Sequence, residues 1–337
     1  MSSRRPRPPR TGPTAPLALT CAGTVVLAMA LAGCSSASGT EPTADGGDRL
    51  DVVASFYPLE WLSQQVAGDL ATVRSLTPPG AEPHDHELTP GDVAAVAEAD
   101  VVVYLDALQP SVDAAVDAQG GDRAFDAGSA ADLDLVYVAG EDHDHAEEEE
   151  HAEEERAHAE EEGAVTDPHF WHDPVRMAAV GEALAVQLGR ADAGNADTYT
   201  ANAAALRTEL EALDDEFRTG LADCASRDVV TSHSAFGYLA EAFDLHQVGI
   251  SGLAPDEEPT PSALTDATAF VREHGVSTIY FETLVSPAIA ETVARETGAQ
   301  TRQLDPIEGL TDASQGEDYL ELMRSNLASL QAGQQCS

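Results

Sequence analysis

Between Asn195 and Leu221 the chain carries Tyr199, Leu206, Leu210, Leu213, Phe217 and Leu221, an apolar stripe at helical spacing. At 1.5 Å per residue this predicts one stiff rod about 40 Å long, enough to run the length of two small domains. The sequence repeats one logic on either side of it. Upstream, Leu50–Phe56 is a nearly continuous apolar run, the signature of a buried parallel strand. Helix follows from Leu59 to Val66, then strand near Val73–Leu76, helix from Thr89 to Ala99, strand over Asp100–Leu105 and a fourth strand at Leu135–Val138. Downstream, strands are predicted near Asp228–Ser232, Gln247–Ile250, Val276–Phe281 and Gln300–Leu304, with helices between and after them. The predicted fold is α/β: two lobes, each a four-stranded parallel sheet flanked by helices, joined by a long rigid helix. The lobes fall at 49–190 and 223–337, with the linking helix at 191–222.

The first 48 residues lie outside this pattern. Arg4, Arg5, Arg7 and Arg10 form a basic leader, and Leu17 to Leu31 is an apolar core too short to span a bilayer comfortably. It ends Leu31-Ala-Gly-Cys34, which resembles a bacterial lipobox with Cys34 as the lipidated first residue of the exported chain. Residues 1–33 are then a signal peptide and 34–48 a flexible tether; the alternative is an ordinary signal peptide in which Cys34 is incidental.

Charge and composition exclude several functions. The formal net charge is −43, and removing residues 1–33 takes away four arginines and no acids. Nucleic acid and anionic lipid are poor partners for such a surface. Every basic residue is arginine, so no Gly-x-x-x-x-Gly-Lys phosphate loop and no Schiff-base lysine can exist. Beyond Cys21 and Cys34 only Cys224 and Cys336 remain, which in an exported protein are expected to bridge, with two free thiols as the alternative.

Residues 140–163 interrupt the first lobe with a run of acids holding His143, His145, His151 and His158. It cannot bury a core. Carboxylates beside each imidazole raise its pKa, which makes the run a weak, pH-sensitive collector of metal; a solubilising insert is the bland alternative.

In open parallel sheets ligands bind beyond the carboxyl ends of the strands. Four loops at such ends carry metal donors: His84, His169 within Thr166-Asp-Pro-His-Phe-Trp-His-Asp-Pro174, His233 directly after Ser232, and Asp305 directly after Leu304. Two come from each half, which predicts a site in the cleft between the lobes. Three imidazoles and one carboxylate suit tetrahedral Zn2+; Mn2+ prefers more oxygen.

Ser55-Phe-Tyr-Pro-Leu, Pro83-His84, Asp167-Pro-His-Phe-Trp171, Ser232-His-Ser-Ala-Phe-Gly-Tyr238, Glu258-Pro-Thr-Pro-Ser262, Phe281-Glu282 and Leu304-Asp305-Pro306 together resemble the zinc and manganese substrate-binding lipoproteins of ABC importers, the cluster 9 or A-I family. The resemblance runs from about Asp51 to Leu330. It implies the same four ligands, a His-rich insert in the same place, and His rather than Glu at position 233 as in the zinc-binding members. Glu282 is expected to hydrogen-bond a ligand, while His86 and His172 stand close enough to ligands to replace or assist them. The implied protein is no enzyme. It is a monomeric, lipid-anchored, extracytoplasmic zinc receptor serving a membrane permease whose ATPase is a separate chain. The alternatives are a manganese receptor, a surface adhesin or metal buffer, and a zinc hydrolase with Asp305 as base.

Overall fold

Alternation along single strands shows how the layers are built. Val52 and Ala54 face one core and Val53 another, and Val101 and Val103 face away from Val102 in the same way. In a computed structural model that describes residues 49–138, 164–255 and 258–337, these residues lie in a sheet covered on both faces. Its strands are β1 (Leu50–Ala54), β2 (Ala71–Ser75), β3 (Val101–Tyr104) and β4 (Ala124–Asp126), all parallel in the order β2-β1-β3-β4. The outer face packs on α2 (Pro90–Glu98) and α3 (Pro110–Gln119) through Val96, Val112 and Val116. α2 starts where the sequence requires, with Thr89 and Asp92 capping each other's backbone N–H around Pro90. The inner face packs on α1 (Tyr57–Ala67) through Leu59, Leu62 and Val66.

The fourth strand differs from expectation. Leu135–Val138 does not join the sheet; β5 (Val136–Tyr137) pairs antiparallel with β6 (Val165–Thr166), closing the base of the insert. The sheet is completed by β4, three half-buried residues too short to show a periodic signal. A one-turn helix, α4 (Gly128–Ala131), follows it.

The second lobe holds β7 (Asp228–Thr231), β8 (His246–Gly249), β9 (Thr278–Phe281) and β10 (Gln300–Gln303), again all parallel, in the order β10-β9-β7-β8. Val230 and Ile279 face an outer core with Val271 of α8 (Pro261–His274) and Val293 of α9 (Ala288–Thr297), while Val229 and Tyr280 face inward. The short α7 (Gly237–Ala242) sits between β7 and β8, and α10 (Tyr319–Gly333) ends the chain's helices.

Two helices lie between the sheets in sequence: α5 (Pro174–Ala191) and α6 (Ala196–Gly220), the latter 25 residues and about 37 Å long. α6 reaches both lobes. Asn202 donates to the Val66 carbonyl in the first at 3.0 Å, and Phe217 stacks on Phe243 in the second at 4.8 Å between centroids. The inner faces of both sheets and the stripe of α6 share one apolar core. A disulfide joins Cys224, just past α6, to Cys336, just past α10. Among the described residues no helix is long and apolar enough to cross a membrane. The leader with Cys34, and the run with His143, His145, His151 and His158, lie outside the described residues.

Candidate metal centre

Each loop that carries a predicted histidine is held by its own local chemistry. His84 sits in the loop after β2, where Glu82 accepts the backbone N–H of His84 at 3.0 Å and of Asp85 at 3.2 Å. His169 precedes a one-turn 3-10 helix, Phe170–His172, which Asp173 and Pro174 end by capping and opening α5. His233 follows β7 directly, and its carbonyl accepts from Thr231 Oγ1 at 2.6 Å and Gln247 Nε2 at 3.1 Å.

Hydrogen bonds on the far side of two rings fix how they point. His169 Nδ1 is 2.7 Å from Asp167 Oδ1, which also accepts the His169 backbone N–H at 2.9 Å. His233 Nδ1 is 2.5 Å from Glu282 Oε1, the role expected of Glu282. With Nδ1 occupied, Nε2 of each ring is left to face the interior of the site.

The three Nε2 atoms converge on Glu308. Its Oε1 lies 3.5 Å from His84, 3.4 Å from His169 and 3.3 Å from His233. Glu308, His169 and His233 are fully buried, and the His84 side chain is 11% exposed. Donor atoms of His84, His169 and Glu308 all lie within 4.8 Å of one another. Nε2 of His84, Nε2 of His169 and Oε2 of Glu308 are buried without a hydrogen-bond partner, an arrangement that costs free energy unless a cation satisfies it.

Asp305, the carboxylate expected from the sequence, is not the one these imidazoles converge on. Its Oδ1 accepts the N–H of Ile307 at 2.9 Å, and Asn326 brackets its backbone, accepting the Asp305 N–H on Oδ1 at 2.8 Å and donating from Nδ2 to the Asp305 carbonyl at 2.7 Å. Burial pushes the Asp305 carboxyl up to about 6, opposed by the Ile307 N–H and assisted by the charge of Glu308. The sequence reading did not single out Glu308. The signal available was a second acid three residues on in the same Asp305-Pro-Ile-Glu-Gly loop.

Neither neighbouring histidine is among the rings that come within ion-pair distance of Glu308, although His172 lies close enough to feel the charges of His169, Glu308 and His233. His172 is fully buried, its ring against Phe236 at 4.6 Å, and burial pushes it down to about 3. The carbonyl of His86 takes the Ser111 hydroxyl at 2.5 Å; among the described residues the imidazoles that approach Glu308 are those of residues 84, 169 and 233.

The electrostatics of the metal-free cluster follow from burial set against charge. Burial alone would favour neutral rings. At His233 the carboxylates of Glu282 and Glu308 outweigh it and raise the pKa to about 10, and at His169 Asp167 and Glu308 raise it too. Burial would favour a neutral Glu308, but the three histidines hold it well below the usual carboxylate range.

Two parallel-sheet lobes with a buried cluster of three imidazoles and a carboxylate, His84, His233 and Glu308 on loops that leave the sheets and His169 just past β6, define a metal-binding protein of the two-lobed type. Residues 52–333 match the family described as ZnuA, zinc-uptake complex component A, periplasmic, and the chain belongs to that family. The high-affinity zinc uptake system protein ZnuA of Bacillus subtilis strain 168 is 37% identical over 306 residues, covering 90% of this chain and 93% of that one. The zinc-binding lipoprotein AdcA of Streptococcus pneumoniae serotype 4 is 36% identical over 310 residues; the match covers 90% of this chain but only 58% of AdcA. The Zn(II)-bound ZnuA-like domain of Streptococcus pneumoniae AdcA superposes with a TM-score of 0.67 at 32% identity, over 85% of this chain and 99% of that domain.

Proposed function

We propose that this chain is an extracytoplasmic zinc receptor that holds Zn2+ on Nε2 of His84, His169 and His233 and on the carboxylate of Glu308, then hands it to a membrane permease powered by a separate ATPase. The observation that carries this reading is the approach of three imidazole nitrogens to one buried carboxylate oxygen. Glu308 replaces Asp305 in the ligand set, and Asp305 shapes the loop that presents it. Three nitrogens and one oxygen at tetrahedral count favour zinc over manganese. The names of the relatives, zinc uptake protein and zinc-binding lipoprotein, support the same cargo.

Four protein ligands close a tetrahedral shell and leave no position for an activated water, so the chain is proposed to transport rather than to catalyse. In this reading Cys34 carries the lipid anchor, residues 34–48 are the tether, and the lobes 49–190 and 223–337 hold the metal between them, joined by the helix within 191–222. The run with His143, His145, His151 and His158 gathers metal weakly outside the tight site. The protein acts as a monomer beside its permease.

Zinc content of the purified chain from Cys34 onward, and zinc accumulation by starved cells with and without it, test the proposal. One tight equivalent and a loss of uptake on deletion are expected. Unchanged uptake would make the chain a buffer or adhesin, and zinc-dependent ester or peptide hydrolysis would make it an enzyme.

A further inference from the structure

His169 belongs to the first lobe, yet part of its frame is supplied by the second. A Cβ built on Gly237, the first residue of α7, would fall 2.4 Å from Asp167 Oδ2 and 3.7 Å from its Cγ. No side chain fits there while Asp167 keeps its place. The carboxylate has little freedom to step aside. Its Oδ1 already accepts from both His169 N and His169 Nδ1, its own N–H donates to the Leu135 carbonyl at 2.9 Å, and the residue is 5% exposed.

The next residue holds Leu135, whose carbonyl accepts the Asp167 N–H. Tyr238 takes the Leu135 N–H on its hydroxyl at 3.3 Å, and its ring lies under the Arg176 guanidinium at 4.6 Å. Gly237 and Tyr238 therefore bear together on the Leu135–Asp167 pairing from which His169 hangs.

We infer that Gly237 is a positioning residue of the metal centre: by having no side chain it leaves the space in which Asp167 seats, and through Asp167 it sets the ring of His169. A methyl group at Gly237 turns the Asp167 carboxylate. The Nδ1 hydrogen bond then lengthens, and the Nε2 of His169 swings away from Glu308. The aim of one ligand thus depends on how the second lobe rests against the first. This rests on the zinc reading above, with His169 as a ligand.

The test is a double-variant cycle on the chain from Cys34 onward, with zinc affinity measured by competition against a chromophoric chelator. Gly237→Ala should weaken zinc by about tenfold or more, the range found when a partner of a ligating histidine is lost. In an Asp167→Ser background, where the shorter side chain leaves room, adding Gly237→Ala should change affinity by less than about twofold, because coupled residues are non-additive. An equal loss in both backgrounds, or no loss in the parent, overturns the inference. If Gly237→Ala alone fails to fold, recovery of folded protein in the Asp167→Ser double variant supports it, and failure of both overturns it. In the metal-free protein the His169 Nδ1 proton resonance should move in Gly237→Ala; an unchanged resonance counts against it. His169→Ala is the control: if zinc binds that variant as tightly as the parent, the zinc-site reading falls, whatever Gly237 does.

Discussion

Asp305 turns its carboxylate onto the backbone N–H of Ile307, two residues ahead, at 2.9 Å. Ile307 has a φ of 59°, a left-handed conformation that a β-branched residue adopts only when its surroundings hold it there. They do so here: Asn326 clasps the Asp305 backbone on both sides, and Trp171 donates its indole N–H to the Pro306 carbonyl at 2.8 Å. The turn so fixed carries Glu308 into the ring of imidazoles.

This separates the two acids by experiment. Glu308→Gln removes the charged donor and should weaken zinc by about 100-fold or more, a modest share of the roughly 10–16 kcal/mol typical of protein zinc sites. Asp305→Asn keeps an oxygen for the Ile307 N–H and should cost about tenfold or less. Calorimetric titration of both variants decides the matter, and the reverse order of losses would give the ligand role back to Asp305.

Selectivity follows from the donor set. With three imidazoles and one carboxylate, zinc should bind far more tightly than manganese. Competition calorimetry between the two ions checks this, and comparable affinities would remove the zinc assignment.

The pH dependence has a definite sign. The His233 pKa is raised from 6.5 to about 10 in the metal-free fold, so its charged form stabilises that fold fully below about 6.5, and the contribution is lost as pH rises through about 10. Zinc needs the neutral ring. Binding near pH 7 should therefore release protons, and affinity should climb with pH toward 9. Calorimetry in buffers of different ionisation enthalpy measures the release; a proton count of zero would contradict the protonated cluster.

Cys224 and Cys336 close a loop across a sequence separation of 112 residues. Replacing both with serine should lower stability by about 2–4 kcal/mol, through the larger conformational freedom of the unfolded chain. Zinc affinity should stay within about twofold. Denaturant melts with and without reductant give the first number, and a parent protein indifferent to reductant would show that the bridge contributes nothing to stability.

Deleting residues 141–162 removes His143, His145, His151 and His158 and none of the proposed tight ligands. The tight site should keep its affinity, while extra weak equivalents disappear, most visibly at pH 8. Stoichiometry at pH 6 and pH 8 for both proteins is the measurement. Loss of the tight site on deletion would mean the run supplies a primary ligand.

Features governed by local rules could be read directly from the residues. Buried parallel strands show as apolar runs, so β1, β3, β7 and β9 were legible, and the stripe from Tyr199 to Phe217 announced α6 because a helix must bury one face. His84 and His233 could be singled out because strand-end loops are where an open sheet exposes a site; His169 follows β6, outside both parallel sheets, so that rule does not account for it. Two features were decided by the tertiary structure alone. β4 is three residues long and becomes a strand only because β3 offers it a hydrogen-bonding edge, whereas the more apolar run at Leu135 finds its partner in Val165–Thr166. The choice between Asp305 and Glu308 rests on the backbone at Ile307, whose left-handed turn exists only while Asp305, Asn326 and Trp171 hold it. No propensity of the residues in that loop encodes the direction in which its carboxylates point, because the groups that set it come from as far as 135 residues away.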